Sequence, residues 1–205
     1  MASEFICRDC GATFTLPPAV LARYPSWTPR QCLACRGGGS GSRRPDLTPS
    51  EVLDRFHSGP QTGVFTDGCC EPNPGPGGWG VVKVVNGQIA EERDGYEERT
   101  TNNRMELRAL IEGYKMLSVQ DDLPVFTDSE LCVNTISKWA AKWARNGWTR
   151  GKKRAEIKNL DLVRELYDLA ESRPKVKLQW IRGHEGSRWN EYADSLSRAY
   201  QSKVN

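Results

Sequence analysis

Four acidic residues stand in four separate patches of the chain: Asp67 in Val-Phe-Thr-Asp-Gly, Glu106 in Asn-Asn-Arg-Met-Glu-Leu, Asp128 in Val-Phe-Thr-Asp-Ser and Asp194 in Asn-Glu-Tyr-Ala-Asp. Two of them, Asp67 and Asp128, end the short β-branched and aromatic runs at 64–66 and 125–127, which read as buried strands. An ionised group at such a position costs free energy unless it is paired or coordinates a cation. If the four carboxylates converge in the fold, they make a divalent-metal site, and their oxygen donors suit Mg²⁺.

The seven cysteines divide into two kinds. Cys7, Cys10, Cys32 and Cys35 form two Cys-x-x-Cys pairs separated by 21 residues, close to the spacing of a four-thiolate Zn²⁺ site. A disulfide framework and a redox Cys-x-x-Cys are the alternatives. The first is disfavoured by an intracellular setting, the second by the lack of a surrounding βαβ pattern. So short a module has too little core to fold alone, so bound zinc would supply much of its folding free energy. Cys69, Cys70 and Cys132 read as small buried hydrophobes.

These groups must be positioned by a chain of 205 residues, enough for one domain of about 140 residues and a small accessory module. No apolar run approaches the roughly 18 residues of a membrane span, and the N-terminus lacks the basic start and apolar stretch of a secretory signal, so a cytoplasmic protein is expected. A net charge of +3 implies no partner by itself, but its distribution does. Between Lys138 and Lys158 eight basic residues face a single acid, Glu156, leaving the remainder of the chain net acidic. Residues 1–36 form the cysteine module, with Phe5, Phe14 and Leu16 closing its core. Residues 37–62 are a Gly- and Ser-rich linker followed by a short helix that the Thr48-Pro49-Ser50-Glu51 capping box announces, and 63–205 form the main domain.

Within the main domain, 64–66, 80–85 and 88–96 read as successive antiparallel strands, with Asn86-Gly87 turning the second into the third. Residues 103–118 read as a helix whose Glu106, Leu110, Gly113 and Leu117 share the face turned to the sheet. A strand at 125–127, helices at 129–143 and 160–171, a strand at 175–181 and a helix from about 190 to 200 complete a β-β-β-α-β-α-α-β-α order. That order predicts an α/β fold, a five-stranded mixed sheet flanked by helices and preceded by a zinc-ribbon module.

Four motifs in register now carry a resemblance: Thr66-Asp67-Gly68 followed by Asn73-Pro74-Gly75-Pro76-Gly77-Gly78-Trp79-Gly80; Thr101-Asn102-Asn103-Arg104-Met105-Glu106-Leu107; Thr127-Asp128-Ser129; and Gly183-His184-Glu185-Gly186 with Asn190-Glu191-Tyr192-Ala193-Asp194. In order and spacing they resemble the bacterial type of ribonuclease H, over about residues 63–200. The resemblance implies the family's five-stranded mixed sheet and an endonuclease that cuts the RNA strand of RNA/DNA hybrids, leaving 5′-phosphate products. It also implies that Asp67, Glu106, Asp128 and Asp194 hold two Mg²⁺ ions, with Mn²⁺ possible, and that His184 assists proton transfer or product release. Such a metal pair answers the demands of phosphodiester hydrolysis, activating water and neutralising the departing oxygen.

The resemblance extends to substrate binding. Asn73, Asn102 and Asn103 match positions that contact the nucleic-acid strands, while Thr101 and Asn159 match positions near the DNA phosphate. Trp139, Trp143 and Trp148 lie in a segment similar to the family's basic protrusion, which grips the DNA strand. The asparagines also suit turns and helix caps, and the tryptophans suit a core. The cysteine module does not resemble the hybrid-binding domain that some members carry; its near-zero charge once zinc is counted leaves a protein or a nucleic acid as its partner. A monomer is expected. The contrasting reading is a non-catalytic nucleic-acid-binding protein on the same scaffold, disfavoured because clustered acids repel phosphates.

Overall fold

The computed structural model describes residues 3–6, 13–23, 28–29, 47–151, 154–183 and 185–201. The chain divides into two units, Met1–Asp46 and Leu47–Asn205. In the first, strands β1 (Ser3–Ile6) and β2 (Thr13–Leu16) pair antiparallel with Phe5 opposite Phe14, their ring centres 5.7 Å apart, and helix α1 (Pro18–Arg23) follows. Leu16 is half-buried. Cys7, Cys10, Cys32 and Cys35 lie outside the described residues.

The second unit begins with helix α2 (Pro49–Arg55), entered through the expected capping box: Thr48 Oγ1 accepts the Glu51 amide at 3.3 Å, and the Glu51 carboxylate accepts the Thr48 amide at 2.8 Å. Although its sequence reads with the linker, α2 buries Val52 against the main domain. Strands β3 (Gly63–Cys70), β4 (Gly75–Val85), β5 (Gln88–Thr100), β6 (Val125–Thr127) and β7 (Leu178–Trp180) form one sheet in the order β5-β4-β3-β6-β7. The first three pair antiparallel, whereas β6 joins β3, and β7 joins β6, in parallel.

Side-chain alternation along β3 and β4 divides the core in two. Val64 and Val81 pack with Leu107, Leu110, Ile111 and Tyr114 of helix α3 (Asn102–Lys115) and with Leu162 and Leu166 of helix α6 (Leu160–Glu171). Phe65, Val82 and Val84 pack on the opposite face with Phe126, Val52 of α2 and Trp189, Tyr192, Ala193 and Leu196 of helix α7 (Arg188–Ser197). The α/β class, five-stranded mixed sheet and flanking helices expected from sequence are therefore observed in this unit.

Several elements differ from their expected spans: β3 continues past Thr66 to Cys70, β5 past Tyr96 to Thr100, α3 ends at Lys115 and α7 at Ser197, and three further differences have a visible cause. β4 starts at Gly75 instead of Gly80, because a segment that reads as a turn by its glycines is a strand whose bare positions admit close neighbours: a Cβ at Gly77 would meet Thr100 of β5 and the Cys69 carbonyl, and one at Gly78 the Ser197 carbonyl of α7. The helix expected at 129–143 is broken into α4 (Glu130–Asn134), a π-helical stretch at Thr135–Ala140 and α5 (Ala141–Arg145), and a widened turn leaves no distinct mark on hydrophobic spacing. β7 is short because its ladder extends only over the three residues of β6.

Gly68 sets the approach of α3 to the sheet. A side chain there would run into the Met105 carbonyl group and the Glu106 amide, which are backbone and cannot step aside. Gly68→Ala is expected to cost about 3 kcal/mol, measured as a lower urea midpoint with an unchanged slope; an unchanged midpoint would mean that strand and helix are not in this contact.

Candidate active site

The β3–β6 register places two of the four acids side by side. Thr66 pairs with Thr127 in parallel, so the next residues stand at the same level: Asp67, still within β3 and opposite Gly80 of β4, and Asp128, just past the end of β6. Thr66 Oγ1 donates to the Phe126 carbonyl at 3.1 Å, tying β3 to β6, and the Ser129 amide donates to Thr127 Oγ1 at 3.1 Å, fixing the end of β6. Glu106 comes from the first turns of α3, carried in by the close approach at Gly68. One carboxylate oxygen from each of Asp67, Glu106 and Asp128 lies within 4.8 Å of the others.

Around this set the protein supplies specific contacts. Asp67 Oδ2 accepts the Ser197 hydroxyl at 2.9 Å. Asp128 lies 3.5 Å from the Asn190 amide nitrogen, its main-chain carbonyl accepts the Trp180 indole N–H at 3.1 Å, and the missing side chain of Gly183 leaves room for its Oδ2. Asp194, on α7, stands outside the set of three and accepts the Arg198 guanidinium at 3.0 Å. It is nevertheless close enough for its charge to act on Asp67 and Glu106.

The electrostatics are those of crowded carboxylates. Burial first, then the charges of Asp194 and Asp128, raise the Asp67 pKa well above the ordinary carboxylate range, against the opposing Ser197 hydrogen bond and Arg198 charge. Glu106 is raised well above its ordinary value by burial and then by Asp67, Asp128 and Asp194. Glu106 Oε2 is buried with no hydrogen-bond partner. A buried, unpartnered oxygen among three converging carboxylates fits a hard divalent cation, which would satisfy the oxygen and relieve the repulsion. Cys69, Cys70 and Cys132 are buried free thiols, and burial pushes Cys132 up to about 12, consistent with packing.

A groove of about 770 Å³ is lined by Trp139 and Trp143 with Leu131, Thr135 and Val163, and its rim carries Lys142, Arg150, Lys158, Asn103 and Asn159. The π-helical stretch presents Trp139, whose ring centre is 5.9 Å from that of Trp143. Trp148 is not among the lining residues: its ring meets Tyr167 edge-on at 5.6 Å and lies under Arg164 at 5.2 Å. Asn73 Oδ1 accepts the Asn102 amide and Asn102 Oδ1 accepts the Cys70 amide, each at 3.2 Å, so both asparagines brace the start of α3 through their oxygens. Thr101 takes the N-cap position of α3 and Asn159 that of α6, neither with a side-chain cap bond. His184 lies outside the described residues.

Sequence reading did not single out Ser197, Arg198 or Asn190 as site residues. The available signal was helical spacing: Asp194, Ser197 and Arg198 stand at i, i+3 and i+4 and share one face.

A model of the family described as RNase H matches residues 60–202. Curated proteins named Ribonuclease H are similar: that of Erythrobacter litoralis is 46% identical over 134 residues, covering 65% of this chain and 91% of its own length, and that of Ruegeria pomeroyi is 45% identical over 145 residues, covering 68% and 92%. Among solved structures, the PFV RNase H domain shares the fold at a TM-score of 0.59 and 21% identity, over 70% of this chain and 95% of its own. LC11-RNase H1, solved in complex with an RNA/DNA hybrid, is similar at a TM-score of 0.51 and 25% identity, over 69% and 98%. With the acidic set at the end of its mixed sheet and the family match spanning that sheet and its helices, this chain belongs to the RNase H family.

Proposed function

We propose that the protein is an endoribonuclease that hydrolyses the RNA strand of RNA/DNA hybrids, leaving 5′-phosphate ends, with a pair of divalent cations held by Asp67, Glu106 and Asp128 and completed by Asp194. The convergence of three carboxylate oxygens within 4.8 Å carries this reading. Mg²⁺, or Mn²⁺ in its place, would supply an acidified water and charge neutralisation at the leaving 3′ oxygen. Asp67, Glu106 and Asp128 orient the site from three separate elements, so none can shift without its neighbours. The rim of Lys142, Arg150 and Lys158 binds backbone phosphates, and Trp139 and Trp143 pack against the DNA strand. Asn73, Asn102 and Asn103, with Thr101 and Asn159, turn hydrogen-bonding groups to the strands, which fits recognition by backbone and 2′-hydroxyl instead of base edges. His184, four residues before α7 in the sequence, moves a proton to or from water at the site. A structural relative solved with a hybrid supports the same substrate for this chain.

A binding-only role is disfavoured by the cost of crowding three like charges, two of them buried, at a site meant to meet phosphates. Among the described residues no helix is long and apolar enough to cross a membrane, and we read the protein as a cytoplasmic monomer. Cys7, Cys10, Cys32 and Cys35 hold a structural Zn²⁺ in this proposal, and the module they close contacts nucleic acid or a protein. Equal hybrid affinity of the full chain and of the 47–205 unit would exclude nucleic acid as its partner.

Asp67→Asn is expected to lower hybrid cleavage in Mg²⁺ by more than about a hundredfold while hybrid binding persists, whereas His184→Ala retains measurable turnover. Strand-resolved gels on labelled hybrid, double-stranded RNA and DNA duplex, with and without EDTA, check both, and turnover of Asp67→Asn within tenfold of wild type refutes the carboxylate assignment.

The raised pKa values of Asp67 and Glu106 also give a stability signature. Because folding raises them, their contribution to metal-free stability is complete below about pH 4 and is lost as pH rises through the raised values. At pH 8 without metal, Asp67→Asn should therefore melt above wild type by about 3 °C, a gap that closes toward pH 4; calorimetric scans across that range measure it.

Replacing Lys142 and Lys158 by Ala should weaken hybrid binding and lower the slope of log affinity against log salt by about 2, read from titrations at several salt concentrations. An unchanged slope places the phosphates elsewhere.

A further inference from the structure

Ser197, the last residue of α7, has no accessible surface. Its hydroxyl oxygen lies 2.9 Å from Asp67 Oδ2 and 2.9 Å from the Asp194 main-chain oxygen, yet a serine has one proton to give. The Asp194 carbonyl already accepts the Arg198 amide at 3.2 Å. A carboxylate is the stronger acceptor, and a charge-assisted bond is roughly twice as strong as a neutral one. The proton therefore goes to Asp67.

Strands β3 and β4 both hold the residue that makes this contact. The Cys69 thiol, two residues beyond Asp67 on the same face of β3, donates to the Ser197 carbonyl at 3.2 Å, so β3 grips this one residue from two positions. A Cβ at Gly78 would strike the Ser197 carbonyl oxygen, and one at Gly80 its amide nitrogen, so the backbone of Ser197 is seated directly on β4. A hydroxyl carried on so fixed a residue holds the plane of the carboxylate it meets.

We propose that Ser197 is a positioning residue for the cation site: its hydroxyl fixes the rotation of the Asp67 carboxylate and so ties the acid on β3 to the helix, α7, that carries Asp194 three residues earlier. This deepens the nuclease reading and rests on it. The chemistry requires this because Mg²⁺ tolerates little departure from octahedral geometry, so a carboxylate free to turn about its Cβ–Cγ bond is a poorer ligand.

The test uses the full chain, dialysed free of Mg²⁺, with Mn²⁺ as the calorimetric probe and Asp67→Asn as the reference that removes heat from any other site. Ser197→Ala is expected to raise the Kd for Mn²⁺ about tenfold and to raise the Mg²⁺ concentration for half-maximal hybrid cleavage in parallel, with KM for the hybrid unchanged. Ser197→Cys, a weak donor, should fall between wild type and Ser197→Ala. A Kd for Ser197→Ala within twofold of wild type, with wild type binding Mn²⁺ and cleaving hybrid, overturns the positioning role alone. Wild type that neither binds Mn²⁺ nor cleaves overturns the nuclease reading and this inference with it. Where Ser197→Ala does not melt cooperatively, Ser197→Gly, with less bulk still, is judged by the same twofold criterion.

Discussion

Mutual repulsion of buried carboxylates is the constraint that shapes this molecule. Three acids within 4.8 Å, two of them among the buried residues, are held together against both their charges and their lost hydration. No local segment could hold such an arrangement, since each acid belongs to a different element and would swing away if its element were loosely packed. The free energy opposing that separation comes from the two hydrophobic layers on either side of β3 and β4.

The sheet topology converts that packing into position. Parallel pairing of β3 with β6 brings Asp67 and Asp128 to one level, while a residue without a side chain at 68 admits α3 and its glutamate. From the opposite face, α7 reaches the same point with Asp194, Ser197 and Arg198. Charge is distributed to match: Arg198 pairs with Asp194 and so tempers the negative field on one side, and the basic rim of the tryptophan groove belongs to the segment from Thr135 to Asn159 on another.

Much of this was legible in the sequence because its signals are local. Alternating and β-branched runs ending in acids marked β3 and β6, Asn86-Gly87 marked the hairpin, and the spacing of Glu106, Leu110 and Gly113 marked the buried face of α3. What stayed hidden depends on tertiary approach. Gly75 to Gly78 carry turn composition but are strand, with Gly77 bare against Thr100 of β5 and Gly78 bare against the Ser197 carbonyl of α7, and the π-helical stretch disturbs no hydrophobic pattern. The pairing of Asp194 with Arg198, and the turning of Trp148 toward Tyr167 instead of the groove, depend on rotamers that spacing does not specify. Ser197 gave the weakest signal, a small polar residue in a helix, because its partner is 130 positions away.

The short capped helix at the head of the second unit changes where that unit can be divided. Val52 is 1% exposed and sits among Phe65, Val82, Phe126 and Trp189, and the Arg188 guanidinium donates to the Leu53 carbonyl at 3.3 Å. A proteolytic nick or gene truncation on the far side of Arg55 would leave an open apolar notch under α7, whereas one ahead of Leu47 would leave the layer sealed. The natural seam for domain exchange or fusion thus lies upstream of the capping Thr48, well ahead of the first strand of the sheet at Gly63.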